Sequence, residues 1–368
     1  MTPTIIELLI VLLGLAVTPI LFYRFPRIAR TKPKDDLPLL SVIIPARNEA
    51  ASLPLLLGDL RNQTYQTFEI ICGDDDSSDG TAQIAEAFGA KVISLHNKPA
   101  GWMGKTWACH NGAAAAQGEL LLFLDADVRL GQDAIQRLLA TYSEERCTIS
   151  VQPYHATERW YEQCSLLFNL IQIAANGTAL KRPKSLGLCG PVILMARTDY
   201  RKIGGHESVR NRIVEDVALG QRLKSAGLPY RLFVGDETIA YRMYPLGIRS
   251  LFQGWIKNIS AGAGKTPRIL FGMVFLWITA MTSVPIQAVR YAVSKNLPWF
   301  ILYVVLYFLW VGILFSLSRG AGRFRWPAIV FYPILVGVLL VIFSISLVKT
   351  LFGMKVVWKD RRIREDQV

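Results

Sequence analysis

Hydrophobic residues fall into two regimes along this chain. Four stretches, 4–22, 269–289, 298–317 and 327–348, stay apolar over long distances. A bilayer core takes about 20 apolar residues as a helix, so each stretch predicts a membrane-spanning helix. Between 38 and 263 the apolar runs are short and alternate with helical spacing. LSVIIP from Leu40, FEIICGDDD from Phe68, residues 91–95 and ELLLFLDAD from Glu119 read as buried strands. Residues 49–60, 81–88 and 105–117 read as helices. Strand–helix alternation predicts an α/β domain with a mostly parallel sheet and helices on both faces. Ligands in such sheets bind off the carboxyl ends of the strands, where this chain's acidic clusters fall. The predicted organisation is an N-terminal anchor at 4–22, an α/β domain at 38–263, about three membrane segments at 269–348 and a basic tail at 349–368.

The charge balance is +13, from 41 Lys and Arg against 28 Asp and Glu. Such an excess points to nucleic acid, an anionic membrane surface or polyanionic substrates. Placement decides among them. Arg24, Arg27, Arg30, Lys32 and Lys34 follow the first apolar stretch, and Lys257, Lys265 and Arg268 precede the second. The charge is therefore spent at membrane flanks and nucleic-acid binding is not expected. Basic residues after the first stretch, with none before it, argue for an uncleaved anchor over a signal peptide. They also place the 38–263 domain in the cytoplasm, on a multi-pass protein of the cell membrane. Three later crossings would leave the basic tail outside. The parity closes only if one run is re-entrant or interfacial. The five cysteines form no CxxC pair, which disfavours a zinc ribbon or a disulfide scaffold.

The candidate chemistry lies in the acids at the strand ends. Asp125 and Asp127 follow the run LLLFL, and on a continuing strand both carboxylates would face one spot. With no basic residue beside them in sequence, they repel unless a cation neutralises them. Oxygen ligands suit Mg²⁺ or Mn²⁺ bridging to a diphosphate; the alternative is a solvated turn. Gly73–Thr81 (GDDDSSDGT) carries more acid than a helix cap needs and suits a nucleotide-binding loop, with Pro45, Arg47 and Glu49 at the end of the adjacent strand. Residues 98–107 (KPAGWMGKTW) form a glycine-hinged loop entering a helix, where Lys105 suits a phosphate. Glu215 and Asp216 open a further helix, where acids are favoured in any case. Residues 159–180 are apolar and aromatic yet hold Glu162, Gln163, Asn169, Gln172 and Asn176, and read as an interfacial helix or a buried core helix.

SVIIPARNE, DDDSSDGT and FLDADV, in this order at strand ends, resemble the nucleotide-sugar half of family 2 glycosyltransferases. The resemblance implies a GT-A type, Rossmann-like sheet, a UDP-sugar donor, Mg²⁺ or Mn²⁺, and inversion at the sugar. It implies that Pro45, Arg47, Glu49, Asp74, Asp75, Lys105 and Asp125 hold the nucleotide sugar, with Asp125 and Asp127 on the metal. It implies that the Glu215–Asp216 pair supplies the catalytic base, Asp216 foremost. His206, Gln253, Trp255 and Lys257 are candidates on the acceptor side; a structural histidine and an interfacial tryptophan are the alternatives. The QxxRW signature of many membrane-bound members is absent, which disfavours a processive polysaccharide synthase.

VQPYHATERWYEQCSLLFNL, GPVILM, DYRKIGGHES and YRMYPLGIRSLFQGWIKNISAGAGKT are similar to the carotenoid glycosyltransferases of bacteria, from about 40 to 266. That resemblance implies glucose transfer from UDP-glucose to a carotenoid end group at the membrane. Hopanoid-associated enzymes share parts of the pattern, so another membrane lipid alcohol stands as the alternative acceptor. A carboxylic acid acceptor, with a pKa of roughly 4 to 5, is already ionised at neutral pH and needs no base, whereas a hydroxyl does. A transporter with a nucleotide-sensing domain is the reading from another class. Against it, the three C-terminal apolar runs contain no charged residue. A dinucleotide oxidoreductase lacks its GxGxxG after the first strand.

Overall fold

A computed structural model describes residues 3–31, 38–183, 186–212, 214–263, 266–352, 356–358 and 361–363. Ile213 and the basic residues Lys32, Lys34 and Lys265 lie outside the described residues.

The chain opens with α1 (Pro3–Leu21). There follow β1 (Leu40–Ala46), α2 (Leu53–Arg61), β2 (Phe68–Asp74), α3 (Thr81–Ala87), β3 (Lys91–Ser94), α4 (Gly104–Ala115) and β4 (Leu120–Leu124). Next come β5 (Val128–Leu130), α5 (Ala134–Glu145), β6 (Thr148–Gln152), β7 (Tyr154–His155), α6 (Ser165–Ala175) and β8 (Val192–Ala196). Then follow α7 (Arg197–Lys202), α8 (Glu215–Ser225), β9 (Tyr230–Val234), β10 (Ile239–Tyr241) and α9 (Ile248–Ala263). The chain continues through α10 (Arg268–Val293), α11 (Leu297–Ala321), α12 (Trp326–Val330) and α13 (Tyr332–Leu351) to a short pair, β11 (Val356–Trp358) and β12 (Arg361–Ile363).

Two compact units divide these elements. The first, Pro26–His155 with Ser185–Met243, holds a seven-stranded sheet in the order β3-β2-β1-β4-β8-β6-β9. The pairs β1–β2, β1–β4, β2–β3 and β6–β9 are parallel, and β8 runs antiparallel to both neighbours. The mostly parallel sheet expected from the alternation is present. All five residues of β4 are buried, which explains the unbroken apolar run: helices cover both faces. Burial of each such leucine favours folding by about 1.5–3 kcal/mol. Helix α4 lies tight on the sheet because its Gly112 leaves room for Ile43; a Cβ there would sit 2.5 Å from the Ile43 side chain. A strap follows α1: the Val234 N–H donates to the Pro26 carbonyl at 2.8 Å, and Ala29 accepts from Arg137 Nε at 2.8 Å.

The second unit comprises Met1–Phe25, Ala156–Lys184 and Tyr244–Glu365. Segments 156–184 and 244–263, expected inside one continuous domain over 38–263, thus group with the apolar helices. Three helices, α10, α11 and Tyr332–Lys349 of α13, are long and apolar enough to cross a membrane, and Ile5–Leu21 is a shorter apolar helix. Within this unit α1 packs on α10: Trp277 Nε1 donates to Thr18 Oγ1 at 3.1 Å, and Arg290 pairs with Glu7 at 3.1 Å. The interfacial alternative for residues 159–180 is corrected here. Helix α6 buries Leu166, Leu167, Phe168, Asn169, Leu170 and Ile173, so its sides are covered by protein, with α10, α11 and α13 as neighbours. A helix apolar on most of its circumference is a core helix, and the polar Asn169 bonds back to the Ser165 carbonyl at 3.1 Å.

Candidate active site

The carboxyl ends of β1, β2 and β4 converge in the sheet unit. Asp75 N–H donates to the Ala46 carbonyl at 2.9 Å, which ties the end of β2 to that of β1. Arg47 donates to the Asp75 carbonyl, with its guanidinium 3.8 Å from the Asp75 carboxylate. Asn48 turns into the left-handed region (φ +50°), and its N–H donates to Ser77 Oγ at 2.9 Å. The N–H of Glu49 donates to Thr81 Oγ1 at 2.9 Å, and that of Ala50 to Asp79 at 3.0 Å. The acidic loop therefore splits. Ser77, Asp79 and Thr81 knit it to the end of β1, while Asp74 and Asp75 are buried at its floor. Asp74 Oδ1 is buried without a hydrogen-bond partner. Leaving a buried carboxylate oxygen unpaired is costly, and an N–H or O–H of a bound nucleotide would satisfy it.

Strand β4 stops at Leu124, and Asp125–Asp127 form a turn, with the Val128 N–H donating to the Asp125 carbonyl at 3.1 Å. Strand alternation is thus not what presents the two carboxylates. Nor is the pair without a basic partner: Lys105 Nζ, from the first turn of α4, lies 2.7 Å from Asp125 Oδ1 and 2.9 Å from Glu215 Oε1. Residues 20 and 110 apart in sequence, from separate elements, meet here, so spacing could not reveal them. Carboxylate oxygens are the hard donors that Mg²⁺ or Mn²⁺ prefers. Among the described residues no three His, Cys, Asp or Glu side chains gather as a ready-made metal site. Asp125 and Asp127 are carboxylates of the type such a cation takes, with Asp125 also ion-paired to Lys105.

Glu215 and Asp216 open α8. Asp216 Oδ2 accepts from the Gly190 N–H at 2.8 Å, and Oδ1 from the Val217 N–H at 2.8 Å. Burial and the neighbouring Glu215 carboxylate push the Asp216 carboxyl up to about 6. Burial acts on Glu215 in the same direction, but the Lys105 ammonium outweighs it and holds that carboxyl below its ordinary value. Two adjacent acids are thus driven apart, the arrangement that lets one remain ionised while the other takes up a proton near neutral pH.

Backbone contacts fix this pair. The Leu188 N–H donates to the Asp216 carbonyl at 3.2 Å, and Cys189 exchanges bonds with Ser150 Oγ at 2.7 and 2.8 Å. The loop before α4 is held from the other side: Met103 N–H and Thr106 Oγ1 both reach the Arg210 carbonyl at 2.8 Å. Sequence reasoning missed Gly190 and Thr106. Gly190-Pro191 before an apolar run was a turn signal, but nothing in it announced an N–H aimed at a carboxylate.

His206 is 2% exposed, with its ring against Phe123 at 4.8 Å and Nδ1 3.0 Å from the Tyr200 hydroxyl. Burial drives its pKa down to about 3, so it is neutral and structural in character. Gln253, Trp255 and Lys257 belong to the other unit. Trp255 is buried, stacks on Phe168 at 4.7 Å and donates from Nε1 to Ser165 Oγ at 3.1 Å.

Residues 41–204 match the family model described as glycosyl transferase family 2. Over those residues the chain matches family 2 glycosyltransferases. Similar curated proteins are the 4,4'-diaponeurosporenoate glycosyltransferases of Staphylococcus haemolyticus, 36% identical over 247 residues, and of Staphylococcus aureus, 37% identical over 246 residues. The match takes in 65% of this chain and 66% and 65% of the two relatives, so the chain spans just under two thirds of their length. The mannosyltransferase PcManGT from Pyrobaculum calidifontis, solved in complex with GDP-Man and Mn²⁺, aligns with 93% of this chain and 99% of its own at a TM-score of 0.54 and 14% identity. That likeness establishes the fold, a GT-A-like mostly parallel sheet followed by apolar helices.

Proposed function

We propose that this chain is a membrane-bound inverting glycosyltransferase. It moves a hexose, glucose in the first instance, from a UDP-sugar to the end group of a carotenoid, with the catalytic unit in the cytoplasm. The observation that carries the reading is the split acid pair: Asp216, raised to about 6, beside Glu215, which Lys105 holds ionised.

In this reading the nucleotide lies over Pro45, Arg47, Glu49, Asp74 and Asp75, and its base or ribose satisfies the buried Asp74 oxygen. Asp125 and Asp127 hold a divalent cation, which when bound offsets the charge of the departing diphosphate. Lys105 keeps Asp125 and Glu215 fixed and adds positive charge beside the leaving group. An acceptor oxygen attacks the anomeric carbon as the bond to the diphosphate breaks. Where the acceptor is a hydroxyl, its proton passes to Asp216. The nucleophile is the acceptor, so no covalent enzyme intermediate forms.

The names of the staphylococcal relatives support a carotenoid carboxylate as acceptor. The poised Asp216 supports a second reading, a hydroxylated carotenoid or another membrane lipid alcohol. Detergent-solubilised protein, radiolabelled UDP-glucose and Mn²⁺ separate them, with a carotenoid acid and a hydroxylated carotenoid offered in parallel. Label in the acid, lost in Asp127→Ala but partly kept in Asp216→Ala, means ester formation without an essential base. Label only in the alcohol, lost in both variants, makes Asp216 the base. Label in neither compound, with other UDP-sugars also inert, would sink the proposal.

A further inference from the structure

The stretch 327–348 reads in sequence as one span. The structure breaks it near its start: α12 ends at Val330, Phe331 leaves the helical region (φ −91°, ψ 34°), and α13 restarts at Tyr332 with Pro333 in its first turn. A proline there lacks the N–H that a continuous helix would need and crowds the residue before it.

The depth of that break follows from α10 and α11. At 1.5 Å per residue, Met281 lies about 20 Å from the start of α10 and about 18 Å from its end. The Tyr332 hydroxyl donates to the Met281 carbonyl at 3.3 Å. The Tyr332 ring stacks on Tyr307, near the middle of α11, at 5.1 Å, and the Tyr307 hydroxyl donates to the Val330 carbonyl. The turn between α12 and α13 therefore sits at half the height of the two long helices.

The direction of α13 follows from its other end. Ser346 Oγ donates to the carbonyl of Ile256, in α9. The level of α9 is fixed independently. Its Trp255 bonds to Ser165; Gln163, just ahead of Ser165, accepts from the Arg325 N–H at 2.8 Å, and Thr157 donates to the Arg323 carbonyl. Arg323 and Arg325 follow the end of α11, where Gly320 meets Phe25 at the end of α1. A through-going α13 would have carried Ser346 about 21 Å beyond the midpoint, to or past the level of the Glu7–Arg290 pair. Instead it returns to the end where it began, and β11 lies beside α9.

We propose that α12 and α13 form a re-entrant hairpin that enters and leaves the membrane on the face where α1 ends and α10 begins, leaving the C-terminal tail on that face. The proposal rests on the membrane reading above. It closes the parity: α1 crosses once, α10 and α11 cross out and back, and the hairpin adds no crossing. Arg361 and Arg362, in β12, then fall on the same side as Arg24 and Arg268, as the positive-inside tendency favours.

The test uses the full chain in its membrane. One variant is Lys295→Cys, in the turn between α10 and α11; the other carries a single cysteine added after Val368. The five native cysteines are buried, and the unaltered chain gives the background. A membrane-impermeant maleimide is applied to spheroplasts and to inside-out vesicles. The hairpin predicts that Lys295→Cys labels several-fold more in spheroplasts and the tail cysteine several-fold more in vesicles. Opposite sidedness of the two positions in the reverse sense would keep the hairpin and overturn only the cytoplasmic orientation. Labelling of both positions from the same side overturns the hairpin and makes α13 a crossing. Equal labelling of both in both preparations, with the chain extracted by alkaline carbonate, overturns the membrane reading and the hairpin with it.

Discussion

Lys105 Nζ lies 2.9 Å from Glu215 Oε1, and the same ammonium touches Asp125 at 2.7 Å. One cation thus binds the first turn of α8 to the end of β4. Replacing it by methionine leaves two carboxylates facing each other with no counter-charge. Lys105→Met is expected to lower kcat/KM by about 10²–10³, the loss typical of one electrostatic group. Arginine, longer and planar, should restore little of it, because a fork cannot occupy a point-charge position. Steady-state kinetics on both variants, with circular dichroism to confirm folding, checks this.

The pH profile discriminates between acceptors. Asp216 must be ionised to accept a proton, and its carboxyl is raised to about 6. With a hydroxyl acceptor, kcat/KM should therefore fall tenfold per pH unit as pH drops below about 6. Glu215, held low by Lys105, stays ionised there and contributes no limb. With a carboxylate acceptor the limb near 6 should be absent, and the decline should follow the acceptor's own ionisation. Asp216→Asn should abolish the limb along with most of the hydroxyl-directed activity, by roughly 10²–10⁴.

Gly190 is expected to be intolerant without being essential to folding. A Cβ there would come within 3.1 Å of both Asp216 Oδ2 and Lys105 Nζ. Gly190→Ala should cost at least about tenfold in kcat/KM, since displacing a positioned group by an ångström costs that or more, with a small change in Tm. Gly187→Ala should behave differently: its Cβ would meet the Val217 backbone at 2.4 Å, which cannot yield, so the loss should appear in Tm. Equal effects of the two substitutions on Tm would contradict this division.

Far from these acids, Arg137 anchors the strap after α1. It is 5% exposed, pairs with Asp236 at 2.7 Å and donates to the Ala29 carbonyl. Arg137→Leu leaves the half-buried Asp236 carboxylate with only its Thr238 partners, and losing such a charge-assisted pair costs about 1–3 kcal/mol. Urea unfolding should show it as a lower midpoint. Burial raises the Asp236 carboxyl, but Arg137 and Thr238 overcome that and hold it at about 2. The folded value is depressed, so the pair's stabilisation is present above about pH 4 and is lost as pH falls toward 2. The variant should lack that dependence.

Trp255, one of the acceptor candidates from sequence, behaves in the structure as a strut. Trp255→Phe keeps the stack on Phe168 and loses only the bond to Ser165, so it should leave KM for the acceptor near the parent value. Trp255→Ala should destabilise by about 3–5 kcal/mol, as deletion of a buried aromatic does. A large rise in KM for Trp255→Phe would restore the acceptor role.

The sheet was legible in the sequence because its strands carry their own signal. LSVIIP and LLLFL are apolar on nearly every position and FEIICGD has an apolar centre, and the helices between them begin at or just after glycine or serine. The antiparallel β8 was not legible, since VILMA looks the same in either direction. The site was half legible. Asp74, Asp75 and Asp125 stand at strand ends, where alternation alone draws attention to them. The ion pairs of Lys105 were not, because they join residues from three separate elements. The division of the units was hidden for a related reason: residues 159–180 carry an apolar run like those of the C-terminal helices, but lie between two strands of the sheet.

Asp216 is held by the N–H groups of Gly190 and Val217, main-chain donors that every residue except proline possesses. If Asp216 is the proton acceptor proposed above, its placement is set by main-chain donors together with the absence of a side chain at 190. Residues lining the acceptor's approach are free to diverge between relatives, or to be exchanged deliberately, while the reacting centre stays where it is. On the proposed mechanism, such a domain would change its acceptor without rebuilding the reacting centre.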